Sequence, residues 1–373
     1  VPGRKRIAYF VSPHGFGHAA RTAAIVEALG ERFPELEVDL WTSVPEWFFA
    51  ESLTVPYRYQ WLACDVGLVQ KSPMEEDLDA SLVELGEFWR SADRGRRREV
   101  AAAVAASGAA LVVCDIAPFG LDVAAELGLP SVLVENFTWD WIYAPLAAAD
   151  PRWRRWADLL SAKFARADLR LQLEPVCESF QGGVAVPLVA RRPRRSRAEV
   201  VERLAIPPAD AIVLVSLGGV EHRLASLDPL RAKPRTTIVV PGGSSEERRE
   251  GNLRLLPHRS PVYHPDLVAA ADVVVGKLGY STVAEAVSAG GRMLYVPRPG
   301  FRESAVLERY VAERIPALPI TGRELESGAW GDRLPELLSR PSPPSAPGAG
   351  AGAAAGRIAS WWSGRSPEPS GPG

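Results

Sequence analysis

Three short stretches of this sequence combine residue types that could do chemistry. The first is Ser12-Pro13-His14-Gly15-Phe16-Gly17-His18. Its glycines let the backbone turn tightly and approach a ligand, and a helix starting here would offer unpaired N–H groups. The full dinucleotide pattern GxGxxG is absent, because Ala20 sits where the third glycine belongs. His18 is the informative residue. A helix N-terminus disfavours its cation, which leaves a neutral imidazole able to take a proton. The plain alternative is a histidine that caps the turn.

The second is Asp115, directly after the apolar run 111–114. A carboxylate there could orient His18 and stabilise its charged form, or it could cap a helix beginning near Pro118. The third runs from Gly276 through Lys277, Leu278, Gly279, Tyr280, Ser281 and Thr282 to Glu285. An apolar strand enters a glycine turn and then a helix, whose free N–H groups at Tyr280, Ser281 and Thr282 suit a diphosphate. Lys277 could add charge, and Glu285 could accept hydrogen bonds from vicinal ribose hydroxyls. Thr282 and Glu285 also have the spacing of a capping box, which needs no ligand at all.

These loops need elements to position them. Residues 6–11, 36–42, 110–114 and 131–134 read as short apolar strands, with helices over 19–29 and 119–127 and one or two more over 74–107. Strands alternating with amphipathic helices imply a parallel sheet covered on both faces. The stretch 186–208 holds four prolines and six arginines and reads as a linker. A second α/β unit follows, with strands expected at 211–217, 236–240, 273–275 and 293–296. The expected division is 1–186, a linker at 187–208, 209–340, and a disordered Pro/Gly/Ala-rich tail at 341–373. In such sheets ligands bind outside the carboxyl ends of the strands, where all three stretches fall.

Bulk properties remove other classes. The chain has 373 residues and a formal net charge of −2, so nothing global attracts nucleic acid or an anionic membrane. Its three cysteines lack CxxC spacing, which fits reduced, cytoplasmic thiols rather than zinc or disulfides. Only positions 5, 71, 163, 233 and 277 are Lys among many Arg, which with abundant Ala, Gly and Pro reads as GC-rich, bacterial coding. The basic-flanked run 7–11 is too short for an export signal or a membrane span. Asp77-Leu78-Asp79 matches a metal-binding DxD pattern but reads as a solvated helix face, as do the Arg94–Arg98 and Arg152–Trp156 clusters.

The stretches 11–29 and 271–307 resemble the GT-B glycosyltransferases, in particular the branch with the bacterial peptidoglycan lipid-intermediate N-acetylglucosaminyltransferase. Asn136-Phe137-Thr138-Trp139-Asp140-Trp141-Ile142-Tyr143 resembles a narrower group, bacterial glycosyltransferases and the N-terminal domain of plant arabinokinase. The resemblance covers roughly 5–325 and implies two Rossmann-like, doubly wound parallel-sheet domains facing across a cleft. It implies His18 as general base, Asp115 as its partner and Glu285 as the ribose ligand. Gly17, Gly218, Gly219, Lys277, Gly279, Tyr280, Ser281 and Thr282 would hold the diphosphate. Tyr263 and His264 would meet the base, and Arg302, Glu303 and Ser304 the donor sugar. His14, Trp139, Asp140 and Trp141 would lie on the acceptor side.

Two departures matter. Glu303-Ser304 replaces a pair of glutamines, against N-acetylglucosamine as donor sugar, and the N-terminal loop is not the TGGH type, against that enzyme's lipid acceptor. Retaining members carry a second Glu eight positions before the ribose ligand; here that position is Lys277. The expectation is an inverting glycosyltransferase without cofactor or metal, moving a sugar from a nucleoside diphosphate sugar, UDP foremost, to a small-molecule, glycan or lipid-linked acceptor. No nucleic-acid partner is expected, and peripheral membrane contact has no positive support. A nucleotide-sugar 2-epimerase and a non-catalytic nucleotide-sugar-binding domain are the alternatives.

Overall fold

A computed structural model describes residues 5–72, 75–92, 94–218, 224–231, 233–346 and 348–365. The first sheet takes β1 (Arg6–Val11), β2 (Glu37–Thr42), β3 (Tyr57–Trp61), β6 (Leu111–Asp115), β7 (Ser131–Glu135), β8 (Leu169–Leu173) and β9 (Val184–Val186). Its order is β3-β2-β1-β6-β7-β8-β9, all parallel, and β4 (Gln70–Ser72) and β5 (Glu75–Glu76) form a separate two-stranded ribbon. The second sheet takes β10 (Ala211–Ser216), β11 (Thr236–Pro241), β12 (Arg248–Glu250), β13 (Leu253–Leu256), β14 (Val273–Lys277), β15 (Met293–Val296) and β16 (Ala317–Pro319). Its order is β12-β13-β11-β10-β14-β15-β16, parallel except for β12 against β13.

The continuous apolar runs follow from burial on both faces. Ala8 and Phe10 pack into one helical layer, while Ile7, Tyr9 and Val11 pack into the other. Ile212 and Leu214 are likewise separated from Val213 and Val215. Each domain therefore has two core layers around its sheet, as expected for doubly wound folds. The strand order reverses between β1 and β6 in the first domain and between β10 and β14 in the second. All three chemistry-bearing stretches sit at these reversal points, where neighbouring loops diverge and leave a crevice.

Two boundaries differ from expectation. The linker contains the helix Arg197–Arg203, closed by a Ser196–Glu199 capping box and burying Val200 in the second domain. The expected disordered tail holds the helix Gly350–Ser363. That helix buries Ala351, Ala354, Ala355, Ile358 and Trp362 against the helix Phe16–Arg32 of the first domain. The Ala-rich composition of the tail hides an apolar stripe, and the stripe orders only because a partner helix covers it.

Two glycines show why the turns take their shape. Gly15 has φ +78° at the start of helix Phe16–Arg32, a conformation that penalises any Cβ. A Cβ on Gly276 would lie 1.9 Å from the Ser216 carbonyl oxygen, so only glycine lets β14 pass β10 there. Among the described residues no helix is long and apolar enough to cross a membrane.

Candidate active site

His18 lies in the first turn of helix Phe16–Arg32, and Asp115 ends β6 beside it. The His18 Nδ1 is 2.7 Å from Asp115 Oδ1, both side chains being buried. An Nδ1–H donated to that carboxylate leaves Nε2 to accept a proton. Asp115 does not cap the next helix, whose N-cap is Ala117.

Arg21, three residues after His18 on the same helix, completes the pair, and no motif in the sequence marks it. Its Nε donates to Asp115 Oδ2 at 2.6 Å and its Nη2 to Oδ1 at 2.5 Å. Its Nη1 donates to the Asn136 side-chain oxygen, which ties the Asn136 loop to the same site. Burial works against the Asp115 carboxylate, but Arg21 and His18 outweigh it and hold the pKa below the usual range. Burial lowers the His18 pKa, Arg21 lowers it further, and Asp115 compensates only in part. The lowered pKa favours the neutral imidazole of His18.

From the other domain, helix Tyr280–Ala289 points its N-terminus into the cleft, opposite the N-terminus of Phe16–Arg32. A Cβ on Gly17 would lie 3.9 Å from Ser281 Oγ, so the two helix ends nearly touch. The N-cap is Gly279 without a side-chain bond, so Thr282 and Glu285 form no capping box. Two cavities meet at this point and share Phe16, Gly218, Ser281 and Thr282. One holds His14, His18, Lys277, Gly279, Tyr280, Arg298 and Glu303. The other holds Tyr263 and His264 together with Trp47, Phe48 and His258.

Charge in the first cavity is distinctive. Burial and Arg298 lower the Lys277 pKa to about 8. Burial, then His18, Lys277 and Arg298, hold His14 at about 3 and keep it neutral. Asp65, raised to about 7 mainly by burial, accepts the Trp139 indole N–H at 2.9 Å.

Several expected residues have other local roles. Trp139 is only 2% exposed, stacked on Tyr143 and edge-on to His14, so it supports His14 rather than offering a face to a sugar. Trp141 is buried beneath the Arg302 guanidinium at 3.9 Å, and Arg302 donates to the Trp141 carbonyl. Asp140 lies half-buried on the same short helix, Trp139–Tyr143, and does not line the cavity. Ser304 accepts from the Arg298 backbone N–H and donates to Glu308, each at 3.0 Å, so of the three sugar-side candidates only Glu303 lines the cavity. Glu285 has both oxygens engaged, by Arg191 Nε at 2.8 Å and His264 Nδ1 at 3.0 Å. Nothing local in the linker marks Arg191 as its partner. Gly219 lies outside the described residues.

The discounted motifs have ordinary explanations. Asp77 caps helix Leu78–Ser91 through the Ala80 N–H, and Asp79 pairs with Arg152. Arg97 pairs with Glu126, and Trp153 and Trp156 are buried.

No protein-family model matches the chain. Two curated relatives do. An L-arabinokinase of Arabidopsis thaliana is 29% identical over 343 residues, covering 89% of this chain and 32% of its own length. A UDP-N-acetylglucosamine–N-acetylmuramyl-(pentapeptide) pyrophosphoryl-undecaprenol N-acetylglucosamine transferase of Rubrobacter xylanophilus is 29% identical over 153 residues, covering 38% of this chain and 44% of its own. The chain thus spans about a third and under half of the lengths of these relatives. Among solved structures, the calicheamicin glycosyltransferase CalG4 superposes with a TM-score of 0.61 at 16% identity over 97% of this chain and 99% of that one. The glycotransferase of kitacinnamycin gives 0.59 at 17% over 97% and 95%. At that identity the likeness speaks to architecture, and the chain has the GT-B fold of these glycosyltransferases: two Rossmann-like domains with their strand ends facing across a cleft.

Proposed function

We propose that the chain is an inverting glycosyltransferase that moves a sugar from a nucleoside diphosphate sugar, UDP foremost, to an acceptor hydroxyl. The observation that carries this reading is the convergence of a buried His18–Asp115 pair and the N-terminus of helix Tyr280–Ala289 on one cavity. The nucleoside would occupy the cavity of Tyr263 and His264, and the sugar that of His18 and Glu303. The diphosphate would bridge them at Gly218, Ser281 and Thr282.

His18 Nε2 takes the proton of the acceptor hydroxyl as its oxygen bonds to the anomeric carbon. The bond from that carbon to the phosphate oxygen breaks on the opposite face, and its electron pair leaves with the diphosphate. The sugar configuration inverts. The helix N–H groups and Lys277 receive the departing charge, so the step needs no metal. Asp115 holds the imidazole in the required tautomer, and Arg21 holds Asp115.

A thermal-shift panel of nucleotides and nucleotide sugars, followed by incubation with and without acceptor alcohols, tests the reading. Stabilisation by a nucleoside diphosphate and its acceptor-dependent release support it. An isomerised nucleotide sugar formed without acceptor would instead establish a 2-epimerase, and binding without turnover a non-catalytic domain.

A further inference from the structure

If the donor lies as proposed, the two cavities divide it, and their charged residues are unevenly shared. Lys277 stands beside the junction, since a Cβ on Gly218 would lie 3.1 Å from its Cε. Arg298 and Glu303 line the His18 cavity and not the nucleoside cavity. They belong to the loop after β15, on the donor side of the cleft.

Arg298 is incompletely matched. Its side chain is 7% exposed, and a buried guanidinium needs acceptors for its N–H groups. Nη2 donates to the Leu278 carbonyl at 3.1 Å and reaches Glu303 at only 3.5 Å. Nε is buried without a partner. The guanidinium lies 3.9 Å above the Phe301 ring, which sets its plane. Arg21 is committed to Asp115, so the cavity wall sets two further cations, Lys277 and Arg298, against Glu303, while Glu76, packed against Gly300 outside the lining, acts on Arg298 more weakly than Glu303 does. Burial also raises the Glu303 pKa, which weakens its claim on Arg298.

The geometry points to a donor whose sugar carries a carboxylate, a nucleoside diphosphate uronic acid, with Arg298 as the residue that reads it. The helix N-terminus and Lys277 are placed for the diphosphate, and Glu303 for sugar hydroxyls. A neutral hydroxymethyl group would leave the Arg298 charge as it stands. A carboxylate at the cavity face of the guanidinium supplies a charged acceptor there and adds to the compensation that Glu303 and Glu76 leave incomplete.

This inference rests on the proposed donor site, and one titration separates the two. Full-length chain is titrated calorimetrically with UDP, UDP-glucose and UDP-glucuronic acid, with no acceptor present. UDP-glucuronic acid should bind about tenfold or more tightly than UDP-glucose, the worth of one charge-assisted hydrogen bond. Arg298→Gln should bring the two to parity, and Arg298→Lys should retain part of the preference. Equal or tighter binding of UDP-glucose by the wild type overturns the carboxylate inference and leaves the nucleotide-sugar site standing. So does an Arg298→Gln loss for UDP as large as that for UDP-glucuronic acid, which would make Arg298 a diphosphate ligand. Absence of binding by all three overturns the inference and the donor site beneath it. If Arg298→Gln does not fold, the wild-type ratio decides alone.

Discussion

Arg191 Nε lies 2.8 Å from Glu285 Oε1, joining the inter-domain linker to the helix that faces the cleft. The same guanidinium sits 5.0 Å from the Phe48 ring of the first domain and 5.2 Å from the Tyr263 ring of the second. Burial opposes the Glu285 charge, but Arg191 and His264 outweigh it and hold its pKa low. The residue expected to bind a ribose is therefore also the anchor of the linker, and a nucleotide bound as proposed would share it with Arg191.

Arg191→Met should cost about 3–5 kcal/mol of stability, the usual effect of stranding one member of a buried ion pair. Adding Glu285→Gln should recover much of it, because the stranded charge is then gone. Denaturant unfolding of the two singles and the double measures the cycle. Simple additivity would show that the pair is not coupled.

His18→Ala should lower transfer by about 10²–10⁴-fold while nucleotide affinity stays near wild type. Single-turnover rates and nucleotide titrations read the two effects separately. Wild-type turnover in this variant would remove His18 from the mechanism.

The pH profile follows from the direction of the His18 shift. The proposed base would work as neutral imidazole, so kcat/KM should rise as pH passes upward through its pKa. With that pKa lowered from 6.5, the acid limb should lie below 6.5 and the profile stay flat to neutrality. Arg21→Met removes a lowering influence and frees Asp115 to favour the cation, so the limb should move to higher pH. A limb that stays in place would show that another group sets it.

Lys277, at about 8, titrates nearer neutrality than an ordinary lysine. A bound diphosphate favours its charged form, so affinity should hold below pH 8 and fall as pH rises above it. Lys277→Met should bind more weakly at neutral pH and lose that alkaline fall. Nucleotide titrations over that range check it; an unchanged slope would place Lys277 away from the phosphates.

Ile358→Ala in the helix Gly350–Ser363 should cost about 2–5 kcal/mol, as for other buried aliphatic truncations. A disordered tail would tolerate the change within about 0.5 kcal/mol, as surface substitutions do. Thermal unfolding distinguishes the two.

What the sequence determined by itself is local and periodic. The apolar runs at 7–11, 111–114 and 273–275 could only be buried strands, and the loops after them had to lie at strand ends. That placed His18, Asp115 and the Gly276–Glu285 segment at the carboxyl ends of the strands of their two sheets. Tertiary structure decided which side chains meet. Arg21 reaches Asp115 across 94 positions, and Arg191 reaches Glu285 across the same span. Such pairings depend on which strands end side by side, and no periodicity records that. It also decided that Trp139 is buried rather than offered to a ligand, and that residues 350–363 form a helix. A short Ala- and Gly-rich segment is marginal as an isolated helix, and its order comes from the surface that receives its apolar stripe.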